Sequence, residues 1–328
     1  MAGKRIIITG QSGIGIAKAI DSFRQDASAF TKGARPPYPV KLEDIMRDIY
    51  CQQEKRRKRD TIWMDEILKL PIRDLQSLWD NAFRKMLRKV SGPKFASQDV
   101  VLHLHASFYH QETVEHISLA RDELIREFKP DVFVTFIDDI YDIHARLRSP
   151  RQMFSPSYGG ASEPVGCIFE LLRILDWRAA EIMMTRHLAE ACGRKYYLFA
   201  IKHACDTLYK LLYGESPTFY ISHPITQVRK LQRAGKAEQA DAIEDEIHRF
   251  EAGLSEACVC FLPTTIDEWR IRKTGDGTSE SDSLFCQQLS LHVGMRRNTG
   301  NPWASCMPRP MGGRTLCGRM LMVLYLEN

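Results

Sequence analysis

Features that would assign this chain to several protein classes are missing from its sequence. Its nine cysteines are scattered and include no Cys-x-x-Cys pair, and no signal peptide precedes the first predicted strand. No apolar run approaches the ~20 residues that are needed to span a bilayer. We therefore expect a cytoplasmic protein in a reducing compartment, with no membrane partner.

A strong charge of either sign is absent too. The net charge of +5 over 328 residues is mild, so nucleic acid is not an expected partner. The hydrophobic content of 44% and charged content of 27% are those of a soluble globular protein. The length allows one large or two ordinary domains, and it leaves a homo-oligomer open.

The sequence does contain a strand, a glycine-rich turn and a helix between Arg5 and Phe23. A short β-branched run is typical of a strand buried on both faces of a parallel sheet. Gly10, Gly13 and Gly15 follow it, and apolar residues then recur at helical spacing. This order of elements points backbone N–H groups and a helix N-terminus at a phosphate.

The turn departs from the P-loop pattern after its sixth position. Gly10 and Gly15 fit the pattern, but Ile16 and Ala17 replace its lysine and hydroxyl residue. The next lysine, Lys18, should point away from the phosphates, because two helical residues correspond to a rotation of roughly 200°. Dinucleotide and short-chain dehydrogenase fingerprints fit less well, since the spacing fails and no Tyr-x-x-x-Lys pair exists. A tight turn without a ligand is the alternative.

Strands alternate with helices in the remainder of the first two thirds of the chain, which predicts an α/β fold with a doubly wound parallel sheet. The predicted elements are a loop over Arg35–Pro39, helices over Lys41–Val90, Glu112–Phe128 and Asp176–Ala191, and strands over Asp99–Ala106, Asp131–Ile137 and Tyr196–Ile201.

Three histidines, His103, His105 and His110, follow or end the second predicted strand. His103 and His105 share one strand face, and a His-x-His pair can hold zinc. No carboxylate or cysteine pair at matching spacing accompanies them. We therefore predict that both line a cleft at the carboxyl edge of the sheet, with a metal as the alternative.

The third predicted strand ends in Asp138 and Asp139. An apolar strand that ends in acids is typical of a Walker B element, in which a carboxylate holds Mg²⁺ through water. Arg146 and Arg148 lead into a loop over Ser149–Ser162, where they would act as a lid over phosphates. The alternative is that one of the two acids is a helix N-cap.

Over residues 1–213 this order of elements, including a late helix with Arg178 and Glu181, resembles a nucleotide kinase of the adenylate kinase type. The resemblance implies a P-loop kinase-like domain with a helical insert at residues 41–90, and Mg²⁺ and ATP or another nucleotide as cofactors. The predicted nucleotide-binding residues are Gly10, Ser12, Gly13, Gly15, Lys18, Arg146 and Arg148, and the predicted metal ligands are Asp138 and Asp139.

A second, smaller α/β unit of Rossmann-like pattern is predicted from residue 214. A strand over Thr218–Ser222 precedes His223-Pro224, a long helix covers Gln227–Phe250, and a strand over Cys258–Leu262 is followed by an acidic pair. Over residues 214–294 this resembles a nucleoside 2-deoxyribosyltransferase, in which a Tyr-Ile/Leu-x-x-Pro-Ile segment shapes the base and sugar pocket.

A glutamate attacks the anomeric carbon in that family. The resemblance implies that Glu268 or Asp267 is catalytic and that Tyr220, His223 and Pro224 line the pocket. The alternative for the acids is a helix N-terminus, where negative charge is favourable.

The stretch Met295–Asn328 loses both helical and strand periodicity and gathers arginine, methionine, tryptophan, cysteine and glycine. This mixture is more typical of a displaced reading frame than of a folded element. We predict that a frameshift near Val293 replaced the native end of the second domain.

The two resemblances together predict a nucleotide- or nucleoside-processing protein. Its C-terminal unit would cleave or transfer at an N-glycosidic bond, and its N-terminal unit would bind a nucleotide. The alternatives are a nucleotide kinase with an unorthodox P-loop and a non-catalytic nucleotide sensor or scaffold.

Overall fold

The structure, a computed structural model, describes residues 3–30, 36–54, 64–110, 113, 115–150, 152–156, 160, 164–203, 205–214 and 216–262. All of them belong to one compact unit, residues 1–270. The predicted acids Asp267 and Glu268 and the stretch from Met295 onward lie outside the described residues.

The described strands, in chain order, are β1 (Arg5–Thr9), β2 (Tyr38–Lys41), β3 (Val100–His103), β4 (Phe108–His110), β5 (Glu115–Ile117), β6 (Val132–Ile137), β7 (Lys195–Ala200), β8 (Thr218–Tyr220) and β9 (Val259–Phe261). The described α-helices are α1 (Ile16–Phe30), α2 (Leu42–Gln53), α3 (Met64–Ile67), α4 (Ile72–Val90), α5 (Asp122–Phe128), α6 (Ile140–Leu147), α7 (Pro164–Cys192), α8 (Cys205–Tyr213), α9 (Ile225–Arg233) and α10 (Ala237–Ser255), with a 3₁₀ turn over Pro93–Phe95. No described helix combines the length and apolar character that a membrane span requires.

Five of these strands form a parallel sheet in the order β2-β3-β1-β6-β7. The central strand β1 pairs with β3 on one side and β6 on the other, so that Ile7 stands opposite Leu102 and Phe133. The chain passes from β1 to β2 and β3 on one side of the central strand, and from β6 to β7 on the other side. In such sheets the crevice at the carboxyl ends of these strands is where ligands bind. The predicted fold class, a doubly wound α/β sheet, is confirmed.

Helix α4 closes one face of this sheet. Its apolar stripe packs into the core that also contains Ile7, Leu102 and Phe133 of the central strands. Trp79 and Phe83 of the stripe are fully buried with ring centroids 4.9 Å apart, and each such burial contributes roughly 1.5–3 kcal/mol. The helical insert is therefore part of the sheet's main hydrophobic core.

The predicted loop Arg35–Pro39 proves to include the start of edge strand β2. The Tyr38 N–H donates to Asp99 O at 2.8 Å, and β2 pairs in parallel with β3. Pro39 is tolerated because an edge strand leaves one side of its backbone unpaired. The sheet thus has one more strand on this side than the sequence suggested.

Two predicted helices are also shorter or interrupted. In the described part of Glu112–Phe128, β5 comes first and α5 begins only at Asp122. The predicted helix Gln227–Phe250 is two helices, α9 and α10, separated at Gly235, whose φ is +70°. A glycine in this left-handed conformation is a common helix C-terminal signal.

The strands β8 and β9 pair in parallel, and α9 and α10 form the crossover between them. These are the kinds of element that the sequence predicted for the smaller α/β unit. Lys210 Nζ of α8 donates to the carbonyl of Ser255 at the end of α10, at 2.8 Å, and this contact connects α10 to α8. The boundary at residue 214 remains a prediction.

Candidate functional site: the cleft at the glycine loop

A cavity of about 360 Å³ opens at the carboxyl ends of β1, β2 and β3. The glycine loop after β1 forms one wall, residues at or after the ends of β2 and β3 form others, and helices α3, α6 and α7 also contribute side chains. Its lining comprises Gln11, Ser12, Gly13, Gly15, Ile16, Ala17, Lys41, Glu43, Arg47, Met64, Leu68, Lys69, His103, His105, Phe108, Tyr109, Leu147, Gln152, Met153 and Trp177. His103 and His105 thus line a cleft, as the sequence predicted.

The loop needs its glycines for two different reasons. A methyl group on Gly10 would come within 2.9 Å of Phe136 O, and one on Gly13 would lie 3.1 Å from Leu147. Gly15 has open space around it, but its φ is +86°, which a residue with a Cβ adopts only with strain. Helix α1 begins at the next residue, so its unpaired N-terminal N–H groups start at the cleft wall.

Lys18, although counted among the predicted nucleotide-binding residues, is exposed and does not line the cleft, as its helical position indicated; nucleotide binding by Lys18 remains a prediction. Other cations do line it, namely Lys41, Arg47 and Lys69. Glu43 is the acidic residue of the lining. The ionisable side chains of the wall are thus predominantly cationic, which favours an anionic ligand.

Buried His105 and largely buried Glu43 form an ion pair in the cleft wall, with 2.8 Å between Oε1 and Nε2. Burial alone would lower the pKa of the His105 imidazole, but the charge and hydrogen bond of Glu43 outweigh it and raise the pKa to about 9. The same partnership lowers the pKa of Glu43 despite its burial. Lys41 Nζ adds a second contact to Glu43 at 3.3 Å. At neutral pH the pair is therefore imidazolium and carboxylate.

The second histidine is in the opposite state. Burial and the positive charge of His105 lower the pKa of His103 to about 3, so this imidazole is neutral. Its Nε2 atom has no hydrogen-bond partner among the described residues, and neither do the two amide atoms of Gln11, which is 1% exposed. An unpaired buried polar group costs about 1–3 kcal/mol. Both side chains line the cleft, so they are candidates for contacts with a ligand.

Glu181 of α7 binds the backbone at the start of the glycine loop. Its carboxylate accepts hydrogen bonds from the N–H groups of Gly10 at 2.9 Å and of Ala106 and Ser107 at 2.8 Å each. Burial raises its pKa, although His105 and these N–H groups act in the opposite direction. His105 Nδ1 contacts the carbonyl of Gly10. Both polar groups of the Gly10 residue are thereby fixed.

The predicted metal ligands lie at the end of β6 and do not line the cleft. Asp139 accepts from the Tyr141 N–H at 2.8 Å as the N-cap of α6, which is the alternative that the sequence left open. Asp138 is fully buried and pairs with Arg146 at 2.7 Å, with Lys202 Nζ 3.6 Å away. These cations compete with a divalent ion, so the donor set fits Mg²⁺ poorly. Metal binding by the two acids remains a prediction.

The two arginines of the predicted lid take different positions. Arg146 Nη1 donates to Gly13 O at 2.7 Å and to Ile14 O at 3.0 Å. Arg148 instead donates to Cys167 Sγ on α7 at 2.9 Å. The structure thus brings Arg146, but not Arg148, to the glycine loop.

The described part of the predicted sugar pocket consists of three residues. Tyr220 lies on β8 and is 54% exposed, and Pro224 is the N-cap residue of α9. The ring nitrogens of His223 have no hydrogen-bond partner among the described residues, and burial lowers its pKa. The acids that would complete the pocket are outside the described residues.

Sequence reasoning did not select Gln11, Lys41, Glu43 or Glu181 as site residues. Glu43 follows β2 by two residues, so recognising Tyr38–Lys41 as a strand would have placed this acid at the carboxyl edge of the sheet. The kinase resemblance included Glu181 on a late helix but gave it no role, because its contact with the loop depends on the packing of α7.

No protein-family model and no curated protein matches the chain. Among solved structures it is similar to a shikimate kinase from Bacteroides thetaiotaomicron, with 16% identity and a TM-score of 0.36 over 64% of this chain and 98% of that one. A gluconokinase from Sinorhizobium meliloti 1021 has 14% identity and a TM-score of 0.30 over 65% and 91% of the two chains. An uncharacterised protein from Eubacterium ventriosum ATCC 27560 has 11% identity and a TM-score of 0.29 over 64% and 95%. Similarities this weak carry no argument about activity, which must come from the site itself.

Proposed function

We propose that the cleft binds a nucleotide through its phosphates and that the protein is a phosphotransferase acting on a small hydroxyl-bearing substrate. The observation that carries this proposal is the joint lining of one cavity by the glycine loop, the cations Lys41, Arg47 and Lys69, and the carboxylate of Glu43. This proposal takes the place of N-glycosidic cleavage as the favoured activity.

The glycine loop and the N-terminus of α1 would bind the phosphates, since N–H groups and a helix N-terminus favour anions. The cations of the wall would supply the positive charge next to the phosphates that the P-loop lysine usually supplies. Phosphoryl transfer requires mainly positioning and electrostatic stabilisation rather than covalent chemistry by the protein. A cradle without the usual lysine is therefore compatible with catalysis.

Glu43 would orient the substrate hydroxyl and accept its proton during transfer. Its low pKa makes it a weak base, but it is ionised at neutral pH and its position is fixed by His105 and Lys41. A carboxylate held near the attacking oxygen is the usual arrangement for positioning a nucleophile in this reaction class.

Calorimetric titration of the full chain with ATP, ADP and GTP, with and without Mg²⁺, tests the binding step. ADP formation with a panel of sugars, nucleosides and hydroxy acids then tests transfer. We expect Glu43→Gln to reduce transfer by at least about 100-fold and to leave nucleotide affinity within a few-fold. Glu54→Gln, at the exposed C-terminal end of α2, is the matched control.

Absence of nucleotide binding would refute the proposal. Tight binding with no transfer to any hydroxyl compound would support the sensor or scaffold interpretation instead.

Deoxyribosyl transfer by the second unit is a separate proposal. It rests on the unpaired ring nitrogens of His223 beside Tyr220 and Pro224. Release of free base from nucleosides or nucleotides, abolished by Glu268→Gln or Asp267→Asn, would support it. Absence of base release would remove it.

A further inference from the structure

A histidine, a cysteine and a glutamate come together where α6 packs on α7, outside the glycine-loop cleft. The potential ligand atoms of His144, Cys167 and Glu170 all lie within 4.8 Å of one another. His144 belongs to α6, and the other two belong to the first turns of α7. None of the three lines the cleft described above.

The helices bring these donors to one place. Cys167 and Glu170 are three residues apart on α7, so they share a helix face. His144 Nε2 lies 2.7 Å from Glu170 Oε2, and Glu170 is 5% exposed. The group is thus partly shielded from solvent and held by the packing of two helices.

We propose that His144, Cys167 and Glu170 form a Zn²⁺ site. Nitrogen, sulfur and carboxylate oxygen are the donors that Zn²⁺ uses in proteins. Bond lengths of ~2.0–2.3 Å place tetrahedral ligand atoms roughly 3.3–3.8 Å apart, so a bound ion would lengthen the 2.7 Å contact between His144 Nε2 and Glu170 Oε2 and replace it by two metal–ligand bonds. Three protein ligands leave the fourth position to water.

Arg148 is the group that opposes metal binding here. Its Nη1 donates to Cys167 Sγ at 2.9 Å, and its charge repels a cation. A bound ion must displace this contact. Removal of the guanidinium should therefore strengthen metal binding, whereas a merely structural His144–Glu170 pair predicts no such effect.

The site would join α6 to the start of α7, across the segment 148–163. Helix α6 also carries Arg146, which contacts the carbonyls of the glycine loop. Metal binding would thus stabilise the position of α6, whose Arg146 contacts the glycine loop. The inference does not depend on the proposed phosphotransferase activity, since none of the three ligands touches the cleft.

Titration of the chelator-treated full chain with Co²⁺ alone tests the site, because a Co²⁺–thiolate bond gives a charge-transfer absorption band. We expect the absorbance of this band to saturate at one equivalent of Co²⁺ per chain and to disappear when Zn²⁺ is added. Cys167→Ser and His144→Gln should weaken Co²⁺ affinity by at least about tenfold, since even outer partners of metal ligands contribute 10–100-fold. Arg148→Met should strengthen it.

Cys192→Ser is the matched control, because Cys192 lies at the other end of the same helix. It should leave the band and the affinity unchanged. Urea unfolding of each metal-free variant shows whether it is folded, and Cys167→Ser removes the sulfur with the smallest change in volume. A band that persists in folded Cys167→Ser, or the lack of any thiolate band in the wild-type chain, would overturn the proposal.

Discussion

Glu181 of α7 accepts a hydrogen bond from the backbone N–H of Gly10 at 2.9 Å, although the two residues are 171 positions apart. The same carboxylate takes the N–H groups of Ala106 and Ser107 after β3. One side chain therefore joins the carboxyl ends of two neighbouring strands and fixes the first residue of the glycine loop. The shape of the cleft depends on this contact.

Replacing Glu181 by Gln should destabilise the fold by about 1–3 kcal/mol. The amide cannot accept from all three N–H groups, and its own NH₂ group would face them, which leaves buried donors unpaired. Urea unfolding monitored by circular dichroism measures the change. Glu190→Gln on the same helix is the control, because its pair with Arg186 is exposed and its loss should stay within about 0.5 kcal/mol.

The stability of the protein should fall as the pH rises from about 6.5 to about 9. The folded pKa of His105 is raised from 6.5 to about 9, so its stabilising contribution is complete below the lower value and is lost through the upper one. Each pKa unit corresponds to about 1.4 kcal/mol. Unfolding free energies measured across this range should decline less steeply in His105→Gln than in the wild-type chain.

At acid pH His103 should make the folding stability increase with pH, which is the opposite of the effect of His105. Its folded pKa is lowered to about 3, so between pH 3 and 6.5 the unfolded chain binds a proton that the folded one does not, and stability rises with pH. His103→Gln should flatten this acid limb and leave the alkaline limb in place. His187→Gln is the control for both, because this side chain is 72% exposed. Equal slopes in all four proteins would contradict the assigned protonation states.

The sheet was predictable because its central strands carry local signals. Ile6, Ile7 and Ile8 form a β-branched run that is fully buried, and such runs predict strands on both sides of which helices pack. The edge strand β2 gave no such signal, since it is four residues long and contains Pro39. Its existence depends on pairing with β3, a contact that the local sequence does not encode.

The site was predictable only where it follows from strand ends. The glycines and His103 and His105 come directly after β1 or at the end of β3, so their place at the carboxyl edge follows from the topology. Asp139 illustrates the limit, because a carboxylate after a strand serves equally well as a helix cap or as a metal ligand. In this structure Asp139 takes the role of the cap, and Lys202, which follows β7, brings its Nζ to 4.0 Å from the same carboxylate.

Gly15→Ala should weaken nucleotide binding and destabilise the fold by about 1–2 kcal/mol. The cause is the positive φ of +86° and not lack of space, since no atom lies within 4 Å of the added methyl group. Gly253→Ala in α10 is the control: it also meets no neighbour, but its helical position should make it stabilising by about 0.5–1 kcal/mol. Calorimetric nucleotide affinity that is equal in the two variants would argue against the loop as a phosphate cradle.

Lys18, which follows the loop on α1, and Lys41, which lines the cleft, should affect ATP binding differently. Lys41 lines the cleft, 3.3 Å from Glu43, whereas Lys18 points into solvent from α1. Lys41→Met should weaken ATP binding by about tenfold, since a charge-assisted contact contributes about 1.5–3 kcal/mol and part of it is already used by Glu43. Lys18→Met should leave ATP affinity within twofold, as a methionine of similar length keeps the helix intact. Raising the salt concentration should reduce the difference in ATP affinity between the wild-type chain and Lys41→Met. If Lys18→Met instead lost the greater affinity, the loop would bind phosphate on the face of α1 that this structure turns to solvent, and the cleft would not be the nucleotide site.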